Sequence, residues 1–291
     1  MNLSCITDQI NQDIFVACRT LKQLHYSNIE IHAINHKTVE QFDEDDLVQI
    51  EQAIYQYDMN VVALASTIFM MAPNFSNDVI SDFNPSFYKI EGTIQQHLDH
   101  LHRVCQIANR LSCKAVRLFP FRAPDQRVVL GIKSDIEMIA NHFKDAIKVA
   151  QTYDVILVVE NCPYSYLPKG NMTYDLVKQV NSPYLRLLYD PGNSYRANKD
   201  RVAPQYLNIT IMEELALVLP LIKHIHIKDY KYLINHPKPF WHVAFGEGDV
   251  PIREIINYLN TNNYHDFLSC EPEVRYYDTI KSLETLRSIN S

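Results

Sequence analysis

Along its length the chain passes repeatedly from a short, unbroken apolar run to a longer segment whose apolar positions recur at helical spacing. Short runs without polar alternation suit strands buried on both faces. Strict alternation of strand and helix favours parallel strands joined by helical crossovers. The strand runs are Leu3–Thr7, Asn28–Ala33, Asn60–Ser66, Lys114–Pro120, Val155–Glu160, Leu185–Tyr189, Leu221–Ile225 and Phe267–Cys270. Helical segments fall near Gln9–Leu24, Asp43–Tyr57, Lys89–Leu111, Ser134–Thr152, Thr173–Val180, Ile211–Leu219, Pro251–Asn260 and Asp278–Ser288. Ser134 reads as the N-cap of the fourth helix, and the cluster Asp43-Glu44-Asp45-Asp46 as favourable charge at the start of the second. Eight such units in 291 residues are the size of a (β/α)8 TIM barrel, here one domain over residues 1–291. A doubly wound open sheet would instead show a glycine-rich turn after the first strand, and Thr7-Asp8-Gln9-Ile10 has no glycine.

Four consecutive strands end in a side chain able to hold a metal: Glu160, Asp190, His226 and Glu271. In a barrel of this kind the C-terminal strand ends form one rim, so the four would converge there. Three carboxylates crowded in a low-dielectric mouth repel one another, and a divalent cation relieves the repulsion. Three oxygen donors with one imidazole suit Mn²⁺ first, with Mg²⁺, Co²⁺ or Zn²⁺ as alternatives. His224, two residues before His226 on the same strand face, reads as an interior histidine supporting the site, because the pattern supplies one ligand per strand end. Glu30 and His32 share a face of the second strand by the same period.

Hydrophobic residues make up 47% and charged residues 21% of the chain, and the formal net charge is −7. Lys and Arg are scattered, which argues against a nucleic-acid partner held by counterion release. The first residues lack a basic and then apolar leader, and no apolar run is long enough to span a bilayer. The expectation is a cytoplasmic protein with no membrane partner. Six cysteines include no CxxC pair, which suits reduced thiols, and Cys162 and Cys270 are read as core residues. The long loop Thr67–Phe87 has the length of a lid or binding loop. Its Met71 and Phe75, with Trp241, are candidates to cover the apolar face of a bound small molecule.

The segments VVENCP (Val158–Pro163), YDPGN (Tyr189–Asn193), HIHIKD (His224–Asp229), FGEGDVPI (Phe245–Ile252) and SCEPE (Ser269–Glu273) resemble the C-terminal-half motifs of the xylose-isomerase-like sugar isomerase/epimerase family. The likeness is specific over about Val155–Glu273 and general before it. It implies a TIM barrel with one divalent metal on Glu160, Asp190, His226 and Glu271, and a small sugar or sugar phosphate as substrate. Glu160 and Glu271 would be the catalytic pair, removing and returning a proton next to a carbonyl through a metal-stabilised enediolate. Asn193 stands where many epimerases of the family carry a substrate-holding histidine, so the particular sugar is open. Asn193, Lys228, Arg122 and His242 are the expected substrate-binding residues. Arg117, Arg122 and Lys228 are candidates to meet a phosphate, each with an ordinary alternative as a rim charge, and Gly246 and Gly248 form a tight turn. Members of the family are often dimers or tetramers, so a homo-oligomer is possible.

Three alternatives use the same fold. A lyase dehydrating a keto-polyol or dehydroshikimate-type substrate needs the same metal. An endonuclease IV-like repair hydrolase needs further histidines: His242 matches one, while Phe240 and Asn193 replace other ligands. A non-catalytic sugar-binding barrel would tolerate loss of a ligand, yet all four are present.

Overall fold

The computed structural model describes residues 1–73, 79–80 and 87–290. Its strands are β1 (Asn2–Ile6), β2 (Asn28–Ile31), β3 (Ala33–Ile34), β4 (Lys37–Thr38), β5 (Asn60–Leu64), β6 (Ala115–Leu118), β7 (Ile156–Glu160), β8 (Leu185–Tyr189), β9 (Ile222–Ile227), β10 (Asp229–Tyr232), β11 (Phe240–Val243) and β12 (Phe267–Cys270). Eight of them close into a barrel in the order β1-β2-β5-β6-β7-β8-β9-β12. Every neighbouring pair in the barrel is parallel, so this is the (β/α)8 barrel expected from the alternation. The other four strands form two antiparallel hairpins, β3-β4 and β10-β11, which the sequence reading did not separate from the loops.

The helices are α1 (Ile14–Gln23), α2 (Glu44–Tyr57), α3 (Ile94–Arg110), α4 (Lys133–Tyr153), α5 (Gly170–Val180), α6 (Pro191–Arg196), α7 (Ile211–Val218), α8 (Ile252–Thr261) and α9 (Tyr276–Asn290). Their inner faces bury Leu, Ile, Val and Phe against the outer faces of the strands, in one large core that includes Leu21, Ile50, Leu101, Phe143, Leu176 and Ile256. At about 25 cal/mol per Å2 of apolar surface removed from water, this layer is the main source of stability.

The acidic start of α2 has the role expected of it: Asp43 caps the helix by accepting from the Asp46 amide, and Asp46 accepts from the Asp43 amide. The start of α4 differs. Ser134 lies inside the helix, and Asp135 is the capping group, accepting from the Gly131 and Ile132 amides and pairing with Arg127 at 2.6 Å. A carboxylate answers two amides and an arginine, whereas a serine hydroxyl meets one amide.

Inside the barrel the aliphatic filling is small: Ala63, Ala115, Val158 and Leu188 form their own cluster. By the two-residue period, Arg117, Glu160 and Asp190 follow three of these on the same inward face, one step closer to the C-terminal rim. The joint between β5 and β6 is thin, with Leu64 opposite Val116 as its only register pair among the described residues. Arg117 reinforces it, donating to the carbonyls of Ala65 (3.0 Å) and Ser66 (3.1 Å).

Candidate metal centre

Of the four candidate ligands, Glu160 and Asp190 are placed by local chemistry at their strand ends. Glu160 is the last residue of β7, and Asn161 then ties that strand to the next. The Asn161 side chain accepts from the Asp190 amide (2.9 Å) and donates to the Asp190 carbonyl (2.8 Å). Asp190 is the N-cap of α6: its Oδ1 accepts from the Asn193 amide at 2.9 Å, and Pro191 occupies the first helical position, where no N–H is needed. Gly192 follows because Lys228 passes close by, and a Cβ there would lie 2.6 Å from Lys228 Cγ.

Glu160, Asp190, His226 and Glu271 each offer a ligand atom, and these atoms all lie within 4.8 Å of one another. All four residues are buried. His226 Nδ1 stands 3.2 Å from Glu271 Oε2 and 3.5 Å from Glu160 Oε1. Among the described residues, Asp190 Oδ2, His226 Nδ1 and Glu271 Oε2 have no aligned hydrogen-bond partner although each is fully shielded from solvent. Lys228 Nζ approaches Glu271 Oε2 (2.6 Å) and Asp190 Oδ2 (3.2 Å) as a charge rather than along a hydrogen-bond direction. Buried polar atoms without aligned partners, turned toward one point, fit a cation.

Electrostatics point the same way. Burial pushes Asp190 up, Lys228 pulls it down, and the charges of Glu160 and Glu271 raise it again, leaving its carboxyl at about 7. Burial would also raise Glu271, but Lys228, His226 and Arg117 hold it well below the usual carboxylate range. Burial opposes charge on His226, yet Glu30, Glu271 and Glu160 hold it well above the ordinary histidine value. The cluster thus favours positive charge at the position His226 Nδ1 faces.

Three charged residues complete the site, and two of them are absent from the expected set. Glu30, on β2 and fully buried, accepts from Nε2 of His226 (3.0 and 3.1 Å) and Nε2 of His224 (2.8 Å). Glu30 would keep a proton on His226 Nε2, and a cation in the cluster would take the place of the proton on Nδ1, the nitrogen that faces Glu160 and Glu271. His224 therefore supports the site from below, as its position suggested, and also meets Ser269 at 2.9 Å. Glu273 pairs with Lys228 at 2.7 Å, and its other oxygen lies 3.4 Å from His242 Nε2. The third is Arg117, which is fully buried rather than a rim charge and lies 3.0 Å from Glu160 Oε2. The signal for Glu30 was its place on a strand face beside other interior polar residues, but a single carboxylate carries too little information to be selected.

A cavity of about 510 Å3 opens above these groups, lined by Glu160, Asn193, Lys228, Glu271, Glu273 and Arg117 below and by aromatic residues above. Asn193 lines it and donates to Glu160 Oε1 at 3.1 Å, so it orients Glu160 as well as facing the cavity. Lys228 and His242 line it as well. Arg122 does not: it is buried, with its guanidinium 6.0 Å from the Tyr164 ring centre. Trp241 is half-exposed with its indole N–H on the Lys238 carbonyl, and its neighbour Phe240 takes the cavity side, since adjacent residues of a strand face opposite ways. Likewise Met70 lines the cavity while Met71 is in the core, and Phe75 lies outside the described residues. Cys162 also lines the cavity, where burial pushes its thiol up to about 12 and keeps it unreactive.

Gly246 and Gly248 do form a turn, and Asp229 is its anchor. The Asp229 carboxylate accepts from the amides of Gly246 (2.9 Å), Gly248 (3.0 Å) and Val250 (3.2 Å).

A closed parallel barrel with four ligand-type side chains at neighbouring strand ends makes this a (β/α)8 protein with a candidate metal centre. Within that class the sequence matches the xylose isomerase-like TIM barrel family over residues 18–289, and the chain belongs to this family. By sequence no curated protein matches it. Its fold is similar to that of 3-keto-D-glucoside 4-epimerase YcjR from E. coli (14% identity, TM-score 0.69, covering 98% of this chain and 99% of that one). It is also similar to D-psicose 3-epimerase from Clostridium cellulolyticum H10, solved with D-tagatose (13% identity, TM-score 0.71, 100% and 99% covered). A third similar structure is a xylose isomerase-like TIM barrel protein from Mycobacterium smegmatis in complex with magnesium (14% identity, TM-score 0.66, 94% and 87% covered). No described helix is long and apolar enough to cross a membrane.

Proposed function

We propose that this protein is a divalent-metal-dependent isomerase or epimerase acting on a sugar or sugar phosphate by proton transfer at a carbon next to a carbonyl. One observation carries the reading: Glu160, Asp190, His226 and Glu271 converge beneath a small-molecule-sized cavity, with three buried ligand atoms lacking aligned partners. These four residues would hold the ion. When bound, the ion would polarise the sugar carbonyl and neighbouring hydroxyl and make the adjacent C–H more acidic.

The chain's own groups divide the remaining work. Both oxygens of Glu160 are engaged, one by Asn193 and the other by Arg117. Glu271 Oε1 makes no hydrogen bond among the described residues, with Arg117 3.7 Å away. Glu271 is therefore the better placed carboxylate to take a proton, and Glu160, across the cluster, the one to return it on the opposite face. Transfer between opposite faces of one carbon gives epimerisation, and transfer between adjacent carbons gives aldose–ketose isomerisation. Lys228, beside Glu271, would donate to the oxygen that gains negative charge. Phe87, Phe119, Tyr164 and Phe240 line the upper walls and would exclude water from the reacting carbon.

Elimination of a hydroxyl by the same site is a second reading. The Lys228–Glu273–His242 chain favours it, since it could pass a proton to a departing oxygen.

The test is metal analysis followed by deuterium uptake from D2O into ketoses and keto-polyols. Wild type is expected to retain a divalent ion and exchange a carbon-bound proton, with about 10²-fold or greater loss in Glu271→Gln and Glu160→Gln. Near-normal exchange in either variant would refute its assigned role. Water release instead of exchange would select the elimination.

A further inference from the structure

We infer that Arg196 and Lys238 form the recognition point for an anionic group of the substrate, which makes the substrate a phosphorylated or carboxylate-bearing keto-sugar or keto-polyol. This rests on the sugar-directed reading of the cavity above and narrows it.

The cations around the cavity are not equivalent. Arg117 is committed to Glu160 and two carbonyls, and Lys228 to Asp190, Glu271 and Glu273. These were two of the three phosphate candidates legible in the sequence, and the third, Arg122, does not line the cavity. Arg196 and Lys238 do line it, and neither makes an ion pair with a carboxylate among the described residues; Lys238 is exposed to solvent, so the shielded charge is that of Arg196. Arg196 is mostly buried at the end of α6, with its guanidinium 4.8 Å from the centre of the Tyr164 ring and 5.6 Å from that of Tyr230. Its acceptors are the hydroxyls of these tyrosines, at 3.4 Å for Tyr230.

Two neutral hydroxyls engage two of the five N–H donors of a guanidinium and cancel none of its charge. A shielded cation without a counter-ion is costly to keep, and an incoming anion would remove that cost. The two rings against Arg196 limit its rotamers, so little ordering is lost when a planar, bidentate contact forms. The placement suits a substrate bound at both ends. Lys228 and the metal ligands lie at the floor of the cavity, while Arg196 and Lys238 come from α6 and the β10–β11 connection.

Arg196 also borders a second cavity of about 680 Å3, which shares Pro163, Tyr164, Pro239 and Phe240 with the first and adds Lys199, Asp200 and Arg201.

The experiment measures binding, so it does not depend on turnover. Metal-loaded wild type, Arg196→Gln and Arg196→Lys are titrated calorimetrically with D-fructose, D-fructose 6-phosphate, D-fructuronate and inorganic phosphate. Thermal melts and metal content establish that each variant is folded and loaded. The expected result is that a charged sugar binds wild type about 10–100-fold tighter than fructose, and that this ratio collapses toward one in Arg196→Gln. Arg196→Lys should keep part of the ratio. The preferred anion, phosphate or carboxylate, identifies the group. Equal binding of charged and neutral sugars by wild type, a ratio unchanged in Arg196→Gln, or no binding of any anion would each overturn the inference. Deuterium exchange on a neutral ketose with no anion preference would leave the proposed function standing without this site. Arg196-dependent anion binding with no exchange on any probe would do the reverse.

Discussion

Replacing Glu30 by Gln should weaken metal binding about 10–100-fold, although Glu30 stands outside the cluster of Glu160, Asp190, His226 and Glu271 and does not line the substrate cavity. The fully buried Glu30 carboxylate accepts from His226 Nε2 at 3.0 and 3.1 Å and from His224 Nε2 at 2.8 Å. Glutamine keeps the shape but replaces one acceptor oxygen by a donor NH2 group, so it can no longer accept from both imidazoles in the same way. His226 then loses the charge that keeps its Nε2 protonated and its Nδ1 electron-rich. The predicted loss corresponds to about 1.4–2.8 kcal/mol of binding free energy. The assay is competition with a chelator of known affinity, using Mn²⁺ and Zn²⁺, on wild type, Glu30→Gln and His224→Gln. His224→Gln leaves the Glu30–His226 contact in place and is expected to change affinity by less than about threefold. A Kd in Glu30→Gln within twofold of wild type, with the protein folded, would show that Glu30 does not tune His226. Equal losses in the two variants would mean that the interior network acts only through packing.

Two further outcomes concern the scaffold. His97 is buried on α3, its Nδ1 accepts from the Phe69 amide at 3.0 Å, and burial, with smaller effects from His100 and Lys89, lowers its pKa to about 4. The folded protein thus excludes a proton that the unfolded chain takes up below about 6.5, so stability is intact above that pH and lost as pH falls toward 4. Urea denaturation should show wild type losing about 2 kcal/mol more than His97→Gln between pH 7.5 and 5, and parallel curves would refute the assignment. Asp229→Ala should destabilise by about 1–3 kcal/mol by leaving three loop amides without their acceptor, and Gly248→Ala should also destabilise because its Cβ would lie 2.0 Å from Asp229 Oδ1. A denaturation midpoint unchanged in Asp229→Ala would mean that water replaces the carboxylate without cost.

The alternation of apolar runs with amphipathic segments was enough to determine the barrel, because each run is short, continuous and separated from the next by a helical crossover. Glu160, Asp190 and Glu271 were legible for the same reason: a strand ends where its apolar run ends, so the residue closing the run lies on the rim, whereas β9 runs on past His226 to Ile227. Capping was less legible, because Ser134 and Asp135 are adjacent and only the backbone path decides which one meets the free amides.

What the sequence could not supply were relations between side chains from distant strands. Glu30 is separated from His226 by 196 positions, and only closure of the barrel brings β2 across from β9. Arg117 and Lys228 look alike in sequence to Arg122 and Arg196, but the fold gives the first two carboxylate partners, sends Arg122 beneath Tyr164 and leaves Arg196 facing the cavity between two phenols. Local periodicity determines which face a residue takes, since it depends only on backbone geometry. Whether a charge on that face is neutralised depends on what stands opposite, and the tertiary structure alone decides that.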